Sequence, residues 1–173
     1  MNLLTHFKPI RMIVMDVDGV LTDGTVYLIR DQEQARAMNI KDGYALQLAV
    51  KKGYHVAVIS GAFDQGVEYR LKKLGLTEIH LAVIDKAKVL KSLATKYQLQ
   101  PEAILFIGDD IPDLSALEYA GLACCPADAV SEVKAIVNYI SPHAGGKGCV
   151  RDIIEKVLKL NGHWDVQQGI AAI

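Results

Sequence analysis

MIVMDVDG, residues 12–19, runs four apolar residues straight into two carboxylates and a glycine. An apolar run this short, bounded by polar residues, has the length of a buried strand, and the glycine behind it permits a sharp turn. The same grammar recurs along the chain. Residues 56–60 (VAVIS), 79–83 (IHLAV), 104–107 (ILFI) and 122–125 (LACC) are further short apolar runs. Between and after them, residues 42–52, 64–74, 86–97, 114–120, 130–137 and 150–160 read as helices, with Gly75 and Gly121 as stops. Strands alternating with helices predict an α/β fold, a doubly wound parallel sheet covered on both faces.

Residues 24–40 break this rhythm. Their ends are β-rich (TVYLI and ARAMNI) and their middle, residues 30–34, is polar. This pattern predicts a β-hairpin projecting from the sheet. With no linker, repeat or low-complexity tract, residues 1–173 read as a single domain, ending in a helix and tail over about 150–173.

Composition narrows the function. The chain is 51% hydrophobic and 23% charged with a net charge of −1, so nothing marks a nucleic-acid surface. No apolar run approaches the roughly 18 residues that span a bilayer. The N-terminus lacks the order of a signal peptide, and a cytoplasmic location is expected. Cys124, Cys125 and Cys149 form no CxxC pair and read as buried thiols. The five histidines have no ligand spacing.

In a doubly wound sheet, ligands bind beyond the carboxyl ends of the strands. The residues there are Asp16 and Asp18, then Ser60 and Gly61, then Lys86, then Asp109 and Asp110 with Asp113 beyond. So many carboxylates repel one another unless a cation sits among them, and an all-oxygen set favours Mg²⁺. Lys86 and that cation attract a dianion, and Ser60 with the Gly61 amide can hold phosphate oxygens. Phosphate monoester hydrolysis needs charge neutralised and a nucleophile placed in line. Asp16 can attack phosphorus to form an aspartyl-phosphate, and Asp18 can protonate the leaving alkoxide. Each element has a plainer explanation alone: Asp-x-Asp-Gly as a turn, Gly-Asp-Asp and Ser-Gly as helix caps, Lys86 as a solvated residue. Capping does not demand all of them at successive strand ends.

These residues, in this order, resemble the signatures of haloacid dehalogenase-like phosphatases: DVDGV at 16–20, Ser60, Lys86, and GDD at 108–110 with Asp113. The resemblance implies a Rossmann-like fold, Asp16 as nucleophile and Asp18 as acid/base. It also implies Mg²⁺ held by Asp16, the carbonyl of Asp18 and Asp109, with Asp110 in support. The gaps between signatures leave no room for a cap domain. More narrowly, DVDGVLTDG at 16–24, NIKDG at 39–43, PADA at 126–129 and ISPHAGGKGCVR at 140–151 resemble the capless 3-deoxy-D-manno-octulosonate 8-phosphate phosphatases. That resemblance implies a role in lipopolysaccharide precursor synthesis and a homotetramer with its hairpins at the centre. It implies that Arg70 and Lys73 bind the sugar acid's carboxylate across a subunit boundary. The glycine-rich segment at 145–148 is expected to approach a ligand and to offer Lys147. One position departs: where the octulosonate enzymes usually carry Arg and the nononate 9-phosphate enzymes Glu, this chain has Ala62. Two other classes fit less well. A receiver-like signalling module needs an Asp after a middle strand, and none follows residues 56–59. A silent assembly module is expected to have lost signature residues, and all are present.

Overall fold

The computed structural model describes residues 3–30 and 33–165. In chain order its elements are β1 (Met12–Met15), β2 (Tyr27–Leu28), β3 (Gln34–Ala35), α1 (Ile40–Lys51), β4 (His55–Ile59) and α2 (Gln65–Lys73). Then come β5 (Glu78–His80), α3 (Lys86–Lys96), β6 (Ile104–Ile107), α4 (Leu114–Tyr119), β7 (Leu122–Cys125), α5 (Ser131–Lys134), β8 (Tyr139–Ile140) and α6 (Cys149–Leu160).

Six strands form one parallel sheet in the order β5-β4-β1-β6-β7-β8. β1 lies in the middle, Met12 in register with His55 on one side and Ile104 on the other. It is apolar throughout because both of its faces are covered. Successive side chains point to opposite faces, so Ile13 and Met15 join Leu46, Val150 and Ile153 in one core layer. Met12 and Val14 join Leu90, Leu93 and Leu117 in the other.

Side-chain caps fix where three helices begin. Asn39 accepts from the Lys41 amide, Asp64 from Val67 and Asp85 from Lys88. Each such cap is worth about 1 kcal/mol. The Asn39 cap moves the start of α1 two residues ahead of the expected position 42. β5 stops at His80, short of 83, because Ala82 takes a left-handed φ of 55°. The helix expected over 130–137 is confined to α5, after which the chain is drawn into β8, an edge strand whose two residues leave no sequence signal.

The hairpin is present and small. Tyr27 faces Ala35 and Leu28 faces Gln34, and the Ile29 amide donates to the Glu33 carbonyl. Tyr27, Leu28 and Ile29 are exposed, Leu28 at 82%. Met38 turns inward and packs on the core. All three cysteines are free and buried. Among the described residues no helix is long and apolar enough to cross a membrane.

The glycine-rich segment braces the loop after β1. A Cβ on Gly145 would lie 1.9 Å from the Gly19 carbonyl oxygen, so only glycine permits this approach. The Gly146 amide donates to the Val20 carbonyl, and Asp128 accepts from the Gly145 amide. Gly145 and Gly146 thus approach the backbone of the loop after β1 closely.

Candidate active site

At the carboxyl edge of the sheet, β1, β4 and β6 open into a cleft of about 330 Å³. Asp16, Asp18, Ser60, Lys86, Asp109 and Asp110 line it together with Gly61 and Ala62. Asp16 prolongs β1 by one residue, its amide donating to the Ile107 carbonyl at 3.0 Å. This hydrogen bond fixes the backbone from which its side chain projects. Ser60 continues β4 in the same way through the His80 carbonyl, and it is 2% exposed. Ser60 and Gly61 precede the next helix without capping it, which removes the plainer explanation of this pair as a helix cap. α2 begins at Gln65, and Asp64 has already taken the Val67 amide.

Lys86, the first residue of α3, reaches back into the cleft. Its Nζ lies 2.7 Å from Asp16 Oδ2 and 2.6 Å from Asp113 Oδ1. Lys86 is 4% exposed and Asp113 fully buried. Burial alone would lower the Lys86 pKa, but the Asp16 and Asp113 carboxylates outweigh it and raise the pKa. Asp113 Oδ2 accepts from the Asp109 amide at 3.0 Å, so both of its oxygens are engaged.

Asp109 folds over the turn after β1. A Cβ on Gly19, whose φ is +83°, would fall 1.9 Å from Asp109 Oδ2. Here glycine serves both the backbone conformation and the space above it. Asp109 Oδ1 is buried and has no hydrogen-bond partner. One oxygen each of Asp16, Asp109 and Asp113 lie within 4.8 Å of one another. Burial, followed by the charge of Asp113, pushes Asp16 up to about 6. Burial, followed by Asp113 and Asp16, pushes Asp109 up to about 7. Three carboxylates against one ammonium leave an excess of negative charge, and Asp109 adds a buried oxygen with no hydrogen-bond partner. That donor set fits a hard divalent cation. Asp109 keeps an unpartnered oxygen for it, Asp16 accepts from the Val17 amide at Oδ1 and pairs with Lys86 at Oδ2, and Asp113 holds Lys86 and the Asp109 backbone.

The family model of haloacid dehalogenase-like hydrolases matches residues 63–153. The curated 3-deoxy-D-manno-octulosonate 8-phosphate phosphatase of Escherichia coli (strain K12) is 34% identical over 168 residues, 97% of this chain and 89% of that protein. The chain belongs to the haloacid dehalogenase-like hydrolases, in the 3-deoxy-D-manno-octulosonate 8-phosphate phosphatase family. Two solved members of the family share its fold. The Yersinia pestis phosphatase superposes with a TM-score of 0.91 at 30% identity, over 93% of this chain and 87% of that one. The Moraxella catarrhalis phosphatase, solved with magnesium, phosphate and a KDO molecule, gives 0.88 at 32% identity, over 91% of each chain. Membership makes the chain a phosphatase and accounts for a sheet with no cap domain among its described residues.

Measured against the family pattern, the strand-end residues converge in this phosphatase and the others do not. Arg70 lines an adjacent hollow of about 370 Å³ with Arg36, Met38 and Asp64. Lys73 lies over the Tyr69 ring at 5.5 Å. Lys147 is 64% exposed and lies 3.7 Å from Asp23. None of these three lines the strand-end cleft within one chain. Asp18 stands apart from the other carboxylates, held by a residue that the sequence reading missed. Arg36 Nε donates to Asp18 Oδ1 at 2.7 Å, and its Nη2 lies 3.3 Å from Oδ2. The signal available for it was a lone basic residue on the return arm of the hairpin, which reads equally as solvated surface.

Proposed function

We propose that this phosphatase hydrolyses 3-deoxy-D-manno-octulosonate 8-phosphate in the cytoplasm, as a step of lipopolysaccharide precursor synthesis, through an aspartyl-phosphate on Asp16. The observation that carries the reaction type is the pairing of Lys86 with Asp16 and Asp113 beside the unpartnered oxygen of Asp109. It is a buried, negatively charged nest that gains by taking up a cation and, with it, a phosphate dianion. The substrate rests on the relatives, which act on the octulosonate and in one case hold KDO and phosphate.

Lys86 restrains the Asp16 carboxylate and offers its charge to the incoming phosphoryl oxygens. Ser60, Gly61 and Ala62 line the same cleft, with the Ala62 amide donating to Ser60 Oγ at 3.3 Å. An oxygen of Asp16 attacks phosphorus as the bond to the sugar oxygen breaks, and Asp18 delivers a proton to that oxygen. Asp18 then takes a proton from water as the water oxygen attacks the aspartyl-phosphate. This releases inorganic phosphate and restores Asp16. Mg²⁺, held by Asp16, the Asp18 carbonyl and Asp109, would supply the charge neutralisation that phosphoryl transfer requires.

The exposed hairpin is assigned to a homotetramer interface. A two-stranded ribbon is marginal alone, and closed symmetry would cover Tyr27, Leu28 and Ile29 equivalently in every copy. Arg70, Lys73 and Lys147, outside the cleft of their own chain, are assigned to the sugar acid at a shared site. Phosphate release from a panel of sugar phosphates tests the substrate. Octulosonate 8-phosphate is expected to give the highest kcat/KM. A preference for nononate 9-phosphate would assign Ala62 to that alternative substrate, and no release from any member would mark a silent assembly module.

A further inference from the structure

Arg36 is the hairpin's link to the chemistry. It sits one residue beyond β3, and its side chain is only 5% exposed. Its Nε and Nη2 grip both oxygens of Asp18, and its Nη1 donates to Asp64 Oδ2 at 2.7 Å. The other oxygen of Asp64 caps α2 through the Val67 amide at 3.0 Å. One planar guanidinium thus ties the loop after β1 to the start of α2, through the base of the hairpin. Thr22 adds a weaker contact to Asp18 Oδ1 at 3.4 Å, and its Oγ1 also accepts from the amides of Gly19 and Gly24. Among the described residues, only Arg36 fixes both oxygens of Asp18. Without Arg36 the Asp18 carboxylate, 30% exposed, would be free to swing about its χ angles.

We infer that Arg36 is a positioning residue for hydrolysis, setting the Asp18 carboxylate in the orientation from which it exchanges protons. The inference rests on the proposed acid/base role of Asp18 and deepens it. The grip is bidentate and shared with a helix cap, an arrangement that a guanidinium can satisfy and an ammonium cannot. It also gives the hairpin a second role beyond its exposed tip, since its return arm carries the residue that orients the cleft.

The test is a double-mutant cycle on the intact enzyme with Mg²⁺ and octulosonate 8-phosphate. Misplacing a catalytic group by about 1 Å can cost about 100-fold, so Arg36→Ala is expected to lower kcat by about 10- to 100-fold. KM should change by less than about threefold, because the substrate is held elsewhere. In the Asp18→Asn background the same substitution should cost less than about threefold, since Arg36 acts through Asp18. Arg36→Lys should restore part of kcat. A parental kcat in Arg36→Ala, a change confined to KM, or the full loss repeated in the Asp18→Asn background would each overturn the inference. If Arg36→Ala does not fold, the cycle runs with Arg36→Lys, and a parental kcat there overturns it. Asp18→Asn at parental kcat would instead sink the acid/base assignment, and this inference with it.

Discussion

The ammonium of Lys86 lies 2.7 Å from Asp16 Oδ2, buried with it at the end of the central strand. The same nitrogen holds Asp113, so one cation restrains two of three clustered carboxylates. Removing one member of a buried ion pair costs on the order of 3–5 kcal/mol, because the partner is left charged and unpaired. Lys86→Met should therefore abolish turnover and, in chelator-treated protein, lower stability by several kcal/mol in denaturant unfolding. Unchanged stability would show that the ammonium is not what holds the cluster together.

The cluster also makes cation binding depend on pH. Asp16 at about 6 and Asp109 at about 7 both stand above the ordinary carboxylate value of 3.8. Raised folded-state pKa values mean that the folded protein without a cation holds these protons more tightly than the unfolded chain does. Their contribution is most favourable below about pH 4 and is lost as pH rises through 6 and 7. Mg²⁺ competes with the same protons. At 100 times its dissociation constant a ligand stabilises by about 2.7 kcal/mol, roughly 5–10 °C for a chain of this size. Mg²⁺ should raise the melting temperature by that order at pH 8 and by much less at pH 5.5. Equal shifts at the two pH values would place the cation away from Asp16 and Asp109.

The hairpin yields a prediction about assembly. Leu28 is 82% exposed at its apolar face. Leu28→Glu should break the oligomer, seen as a fall in mass by light scattering, and raise KM with the cleft residues untouched. A monomeric parent protein, or a monomeric variant with unchanged kcat/KM, would contradict this role for the hairpin.

What was legible in the sequence was whatever repeats with the architecture. Asp16, Ser60, Lys86 and Asp109 each lie at or just past the end of an apolar run, and the sheet brings those ends to one edge. The parallel order, the buried thiols and the hairpin follow from local pattern in the same way. What was hidden depends on contacts between distant segments. Arg36 meets Asp18 across 18 positions and Asp64 across 28, with no periodicity to mark it. The role of Gly145 against Gly19 is backbone on backbone, which side-chain chemistry cannot foretell. The edge strand β8 and the truncation of α5 are set by pairing with Cys124 and Cys125, not by propensity.

Whether Asp16 is the nucleophile is decided by phosphate release from octulosonate 8-phosphate by the parent enzyme and by Asp16→Asn, in Mg²⁺ at pH 7.5. The amide keeps the shape and the backbone hydrogen bond that places the side chain, but it cannot form the acyl phosphate. The parent is expected to turn over and the variant to lose at least about 1,000-fold in kcat, in line with removal of a covalent nucleophile. A variant that retains kcat within about tenfold of the parent would contradict that role for Asp16.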